Sequence, residues 1–352
     1  MRDALVFIGR FQPFHNGHKA VIDAALEQAR EVVIVVGSSF AARNIRNPFT
    51  FEERKAMIKT VFPSDRVLVV PVSDYPYDDN KWVNAIQKVV DETVPHATDV
   101  GLIGHSKDST SYYLNIFPRW KNHVEVPDVG GINATDIRNA MFESAPDSST
   151  ILPIIIHKIY EQFVNKTMNK QAIETMHSII MKDGVVSKWF ETLFQEYQMV
   201  KKYKEAWKAA PFPPTFMTVD AVVVQSGHIL LVKRGDMPGK GQWALPGGFL
   251  NQEETMLNGA IRELKEETKI KIPVSVLKGS IKDSKTFDAP NRSARGRTIT
   301  QAFLIDLGVG ELPKVKGSDD AEKAFWVPFN KVKQEKMFED HYHIIDNFIN
   351  IG

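Results

Sequence analysis

Glu263, Glu266 and Glu267 stand at i, i+3 and i+4 within the run Arg262-Glu263-Leu264-Lys265-Glu266-Glu267. On a helix that spacing puts three carboxylates on one face. Carboxylates crowded together repel one another unless a hard cation sits among them. Oxygen-only ligands suit Mg²⁺ or Mn²⁺, which can bridge a diphosphate and activate water. A solvated acidic face is the commonest origin of such a pattern. The preceding loop Trp243-Ala244-Leu245-Pro246-Gly247-Gly248, with Glu254 between loop and acids, argues for chemistry instead. Asn251 followed by Glu254 gives a helix start, and Arg262 and Glu254 read as supports for the acids. Gly259 inside the helix costs about 1 kcal/mol relative to alanine, which implies close packing there.

A second constellation lies near the start of the chain, in Gly9-Arg10-Phe11-Gln12-Pro13-Phe14-His15-Asn16-Gly17-His18. Two imidazoles three residues apart at a helix start point toward one space. The N–H groups and positive dipole end of that helix favour a phosphate. Gly9 and Gly17 permit close backbone approach, and Arg10 adds a permanent forked charge. Such a site can hold a triphosphate and stabilise charge developing on its α-phosphorus without a covalent intermediate. Far along the chain, Ile132-Asn133-Ala134-Thr135-Asp136-Ile137-Arg138 reads as a helix start capped by Asn133 or Thr135.

The elements that must position these groups differ between the two halves. In the first, short β-branched runs at 5–8, 32–36, 67–72 and 100–103 alternate with helical patterns at 18–30, 51–62 and 82–94. That order implies βαβ crossovers and a parallel sheet covered on both faces, with ligands beyond the carboxyl ends of its strands. Helices are expected at 154–164, 172–181 and 188–208, the last with Trp189, Phe190, Leu193, Phe194 and Tyr197 on a packing face. Pro211, Pro213 and Pro214 mark a boundary. Beyond them come a hairpin over 221–232, a glycine-rich loop, a long helix from about 253 to 268, strands at 299–307 and 324–327, and a closing helix over 341–349.

The chain of 352 residues is longer than one core usually absorbs. Net charge is +1, which supplies no argument for a nucleic-acid or membrane surface. Cysteine is absent, so disulfides and thiolate chemistry are excluded and a reducing compartment fits. No apolar run approaches the ~18 residues of a membrane span, and Met1-Arg2-Asp3 runs straight into a strand-like segment with no signal peptide. The expectation is a cytoplasmic protein.

The first constellation resembles the signature of the H-x-G-H nucleotidyltransferase superfamily, and residues 132–138 resemble its I-S-x-T-x-x-R motif with Asn133 in place of the serine. Arg46-Asn47-Pro48-Phe49-Thr50 and Lys81-Trp82-Val83 look like archaeal-type nicotinamide mononucleotide adenylyltransferases. That resemblance implies that Arg46 binds the mononucleotide phosphate and that Trp82 stacks on the nicotinamide ring, unless Trp82 is a core aromatic. It implies ATP contacts from Gly9, Arg10, His15, His18, Gly104, Asp108, Thr135 and Arg138, with His15, His18 and Arg138 catalytic. Gly104-His105-Ser106-Lys107-Asp108 would line the adenine side, while Tyr112, Tyr113 and Phe117 would pack. Another acceptor, a pantetheine or flavin phosphate, is the rival.

From Gly248 to Ile270 the sequence resembles the Nudix box, with Lys269 replacing its second glycine. The resemblance implies metal ligation by Glu263, Glu266 and Glu267, catalysis through Glu267, and support from Gly247, Gly248, Glu254 and Arg262. Ser318-Asp319-Asp320-Ala321-Glu322 resembles the ADP-ribose-directed branch and is either a further ligand or base, or a solvated loop. The implied fold is α/β: a Rossmann-like nucleotidyltransferase domain with a parallel sheet over 1–183, a helical linker over 184–214, and an α/β/α Nudix fold with a mixed sheet over 215–352. The implied activities are NAD formation from ATP and nicotinamide mononucleotide, and hydrolysis of ADP-ribose, with Mg²⁺ or Mn²⁺ in both domains. A Nudix half that only senses ADP-ribose, or that cuts another diphosphate such as NADH, is the alternative. Partners are small nucleotides, with no nucleic acid or membrane, and self-association is left open.

Overall fold

The computed structural model describes residues 1–105, 116–120, 123–127, 131–143, 167–182, 185–317 and 321–351. The expectations for 106–108, 112–114, 154–164 and 318–320, Asp108 among them, lie outside the described residues. The chain forms two compact units, Met1–Phe194 and Gln195–Gly352.

In the first unit the elements run β1 (Arg2–Gly9), α1 (Asn16–Gln28), β2 (Ala29–Val36), α2 (Phe51–Val61), β3 (Val67–Pro71), α3 (Asp79–Thr93), β4 (Val100–Gly104), β5 (His123–Glu125), α4 (Ala134–Glu143) and α5 (Lys170–Ile180), with a small pair β6 (Met181–Lys182) and β7 (Val185–Val186). All five main strands are parallel, in the order β3-β2-β1-β4-β5. The direction of winding reverses between β1 and β4, where such sheets open a crevice for ligands. β1 and β2 are buried almost throughout because helices cover both faces of the sheet. The first helix begins and ends two residues earlier than its pattern predicts. Ala29 already has extended backbone and opens β2, since the apolar run continues into the sheet.

The helix α6 (Lys188–Ala206) spans the division between the units. The second unit follows with β8 (Thr215–Gln225), β9 (His228–Arg234), β10 (Trp243–Ala244), β11 (Gly247–Phe249), α7 (Met256–Thr268), α8 (Val274–Gly279), β12 (Ile281–Phe287), β13 (Arg297–Asp306), β14 (Ala321–Pro328) and α9 (His341–Ile349). Its sheet is mixed: β13 runs parallel to β8, and the other pairings are antiparallel. Ile261 and Leu264 of α7 pack with Ala221, Val223, Leu230 and Ile305 of the strands in one apolar cluster. Burying that stripe leaves Glu266 exposed and turns Glu263 and Glu267 toward β11, where both are partly buried.

The start of α7 corrects the sequence reading. Thr255, not Asn251, is the cap, its hydroxyl accepting the Asn258 N–H. Glu254 remains in the loop, where one carboxylate oxygen accepts the Asn251 N–H at 2.9 Å. At the other end Lys269 adopts φ +52°, the left-handed conformation that glycine usually supplies, and its N–H still reaches the Lys265 carbonyl at 3.0 Å. The helix end therefore keeps its form without the glycine.

Candidate active sites

At the end of β1 the chain turns tightly beneath the start of α1. A side chain on Gly9 would meet the Phe11 ring at 3.1 Å, and one on Gly17 would meet the His15 ring at 3.0 Å. His15 is the cap of α1. Its Nδ1 accepts the His18 N–H, and Nδ1 of His18 accepts the His15 N–H. The rings stack with centroids 3.6 Å apart. With both Nδ1 atoms accepting, each neutral ring carries its proton on Nε2, so both imidazoles are donors away from the helix start.

Arg138 joins the distal motif to this turn. It is 6% exposed, donates to the Gln12 carbonyl at 2.7 Å and to the Thr135 hydroxyl at 3.0 Å. Burial first, then Arg10 and Arg46, lower its pKa to about 10. Three guanidiniums thus act on one place, a field that suits polyphosphate. Asn133 caps α4, its side-chain Oδ1 accepting the Asp136 N–H at 2.9 Å. Arg46 is carried on a tight turn in which Asn44 Oδ1 accepts the N–H groups of Arg46 and Asn47, both at 2.9 Å. Trp82 stands in the first turn of α3, half-buried, its ring 5.8 Å from Phe117 and packed against the sheet core. Gly104 ends β4, and the next residue, His105, has Nδ1 on the Val126 carbonyl at 2.5 Å.

The sequence reading missed Arg54. Fully buried in α2, it donates to the carbonyls of Arg10 and Gly37, each at 2.7 Å, Ser38 at 3.1 Å and Thr50 at 3.2 Å. Burial lowers its pKa to about 10, against an opposing pull from Asp74. Asp74 in turn accepts the Ser38 N–H at 2.9 Å. The signal was present: Arg54 lies on the same helical face as the core residues Met57 and Ile58.

In the second unit Arg262 is the hub of the acidic face. It donates to Glu254 at 2.6 Å, Glu263 at 2.8 Å and Glu266 at 2.9 Å. Glu267 instead accepts the Gly247 N–H at 3.0 Å. Among the described residues no three acids or imidazoles converge closely enough to hold a metal as they stand, because Arg262 lies between Glu263 and Glu266. The donor set nonetheless fits a hard divalent cation. Burial, followed by Glu263 among other groups, raises Glu267 to about 8, and burial also raises Glu263. Glu263 is paired with Arg262, whereas Glu267 forms no ion pair among the described residues. A side chain on Gly248 would come within 2.5 Å of Glu263 Oε1, and one on Gly247 within 2.3 Å of the Val219 carbonyl, so only glycines leave room at this face. Gly259 packs as expected, a Cβ there meeting Glu254 and Leu250 at 3.1 Å.

Residues 6–106 match the cytidylyltransferase-like family and residues 214–348 the NUDIX domain family. A nicotinamide/nicotinic acid mononucleotide adenylyltransferase of Acinetobacter baylyi is 46% identical over 145 residues, 40% of this chain and 76% of that protein. An ADP-ribose pyrophosphatase of Methanocaldococcus jannaschii is 36% identical over 133 residues, 38% of this chain and 72% of that protein. A crystal structure from Francisella tularensis, described as a bifunctional NMN adenylyltransferase/ADP ribose pyrophosphatase complexed with AMP and a manganese ion, covers 100% of both chains at 34% identity and a TM-score of 0.85. The chain belongs to this bifunctional family. The family's two halves coincide with the two units, the Rossmann-like parallel sheet in the first and the Nudix mixed sheet in the second.

Proposed function

We propose that the first unit transfers the adenylyl group of ATP to nicotinamide mononucleotide, giving NAD⁺ and pyrophosphate, and that the second hydrolyses ADP-ribose to AMP and ribose 5-phosphate. The observation that carries this is the match to a bifunctional structure over the whole chain, with both motif sets present here.

In the transfer, a phosphate oxygen of the mononucleotide attacks the α-phosphorus of ATP in line as the bond to the bridging oxygen of pyrophosphate breaks. His15, His18, Arg10 and Arg138 stabilise charge on the phosphates, and Gly9, Gly104 and Thr135 complete the ATP contacts, with Asp108 in the same expectation. Arg46 takes the mononucleotide phosphate and Trp82 the nicotinamide ring. No group on the protein becomes covalently bonded, so catalysis rests on positioning and electrostatics. A divalent cation, Mg²⁺ in this reading, would supply neutralisation of phosphate charge.

In the hydrolase, Glu263, Glu266 and Glu267 would hold a divalent metal, whose chemistry there would be neutralisation of diphosphate charge and activation of water. Glu254 fixes Arg262, and Arg262 fixes the rotamers of Glu263 and Glu266. Gly247 and Gly248 keep the loop close to the acids. A sensor that binds without cutting has no use for the full set of acids. Incubating the protein with Mg²⁺ and, separately, ATP plus nicotinamide mononucleotide, ADP-ribose, and NADH tests both centres. NAD⁺ from the first mixture and AMP from the second are expected. An uncut but bound ADP-ribose would favour the sensor.

A further inference from the structure

Beside α7 the second unit holds a cleft walled by Gly247, Glu267, Arg234, Arg295, Glu339 and His341. The last four belong to no motif discussed above. His341 is 7% exposed, and its Nδ1 accepts the Leu245 N–H at 3.0 Å. That bond puts the proton of the neutral ring on Nε2, which has no hydrogen-bond partner among the described residues. Burial holds the imidazole below its ordinary pKa, so the neutral form persists.

Two guanidiniums flank it with donors to spare. Arg234 gives Nε to the Pro238 carbonyl at 2.8 Å, and its two amino groups make no other hydrogen bond to the described residues. Arg295 has a buried Nε without a partner. Arg292, by contrast, is consumed by a two-pronged pair with Asp340, both bonds at 2.9 Å. Glu339 gives one oxygen to the Ala294 N–H at 2.9 Å and keeps the other. Phe338, the phenyl ring in the wall, is buried and lies 4.0 Å beneath the Arg234 guanidinium. A purine needs an open aromatic or apolar face. This cleft offers guanidinium and imidazole donors, the carboxylates of Glu339, Glu267 and Asp220 as acceptors, and a covered ring, which is the chemistry of a phosphate and sugar hydroxyls.

We propose that the cleft is the subsite for the phosphorylated pentose of the diphosphate substrate. Arg234, Arg295 and His341 Nε2–H donate to its phosphate and hydroxyls, the free oxygen of Glu339 accepts from a hydroxyl, and the adenylate half lies outside. This rests on the hydrolase reading above.

Product inhibition of ADP-ribose hydrolysis tests it in the full-length protein. His341→Asn keeps an acceptor for the Leu245 N–H while removing the Nε2 donor, and Arg295→Gln removes a charge without shortening the side chain greatly. Each should raise the inhibition constant of ribose 5-phosphate at least tenfold and leave that of AMP within twofold, with Arg295→Lys intermediate. Equal weakening of both products, or unchanged ribose 5-phosphate inhibition, overturns the subsite while leaving the hydrolase standing. If the unaltered protein cuts no ADP-ribose, the hydrolase reading fails. Calorimetric titration of ribose 5-phosphate, with NAD⁺ present to fill the first unit, then decides the subsite alone: a tenfold loss in both variants supports it, and no loss removes it.

Discussion

The Arg54 guanidinium donates to the Arg10 carbonyl at 2.7 Å across 44 positions of sequence, and the same nitrogen reaches the Gly37 carbonyl at 2.7 Å. One buried side chain therefore ties the loops after β1 and β2 to α2, and so fixes the backbone that carries Arg10. Lysine at this place has three donors on a point charge and cannot span the four carbonyls. Arg54→Lys should lower the unfolding free energy by about 2–4 kcal/mol, since it leaves buried acceptors unpaired. It should also lower kcat for adenylyl transfer. Denaturant unfolding and NAD⁺ formation read the two effects, and a variant as stable and active as the parent would remove the role.

His18 serves both the cap and the proposed chemistry, and two substitutions separate these. His18→Asn retains an acceptor for the His15 N–H, whereas His18→Ala loses it and about 1 kcal/mol of helix capping. Both should slow NAD⁺ synthesis by orders of magnitude, while only alanine should shift thermal unfolding of the first unit. ADP-ribose hydrolysis should continue in each. Rapid synthesis by the asparagine variant would confine His18 to capping.

Much of this was legible in the residues, for physical reasons that can be named. Parallel strands buried on both faces read as continuous apolar runs, and β1 and β2 appear as such. The acids of α7 announce themselves because a helix repeats at i+3 and i+4. What escaped were groups whose partners lie far away in sequence. Arg54 looks like any helical arginine until its four carbonyls are seen, and His341 looks like a surface histidine until the Leu245 N–H is found on its ring. Helix ends were also misread. Asn251 and Glu254 have the spacing of a capping box, yet Arg262 holds Glu254 in the loop at 2.6 Å and Thr255 caps instead.

Trp82 tests acceptor choice. Its ring is half-buried against the sheet core, which leaves room for a stacked nicotinamide but also gives the residue a packing role. Trp82→Ala should raise KM for nicotinamide mononucleotide well above any change in KM for ATP. Loss of stacking forfeits about 0.5–1.5 kcal/mol beyond area burial, and Trp82→Phe should recover part of it. Steady-state kinetics with each substrate varied in turn supply the comparison, and equal changes in both constants would assign Trp82 to packing.

The acids of α7 should rank by what each one faces. Glu267 is desolvated beside Glu263 and raised to about 8, so without metal the carboxyl is mostly protonated at neutral pH; a glutamine there mimics that neutral form, and the metal-free protein should unfold no more easily than the parent. Its stabilisation by added Mn²⁺ or Mg²⁺ should vanish, because the ligand charge that the cation needs is gone. Glu266→Gln should weaken metal binding as well, since it removes a carboxylate from the same face. Glu254 is bound to Arg262 and the Asn251 N–H, which together hold its pKa at about 2. Glu254→Gln should therefore cost less hydrolysis than either of the other two and preserve the metal-dependent shift in Tm. Adenylyl transfer should survive all three, as expected of separate compact units. Thermal unfolding with and without metal, alongside both activities, resolves the ranking, and a Glu267→Gln protein that still gains stability from Mn²⁺ and still cuts ADP-ribose would move the metal away from this face.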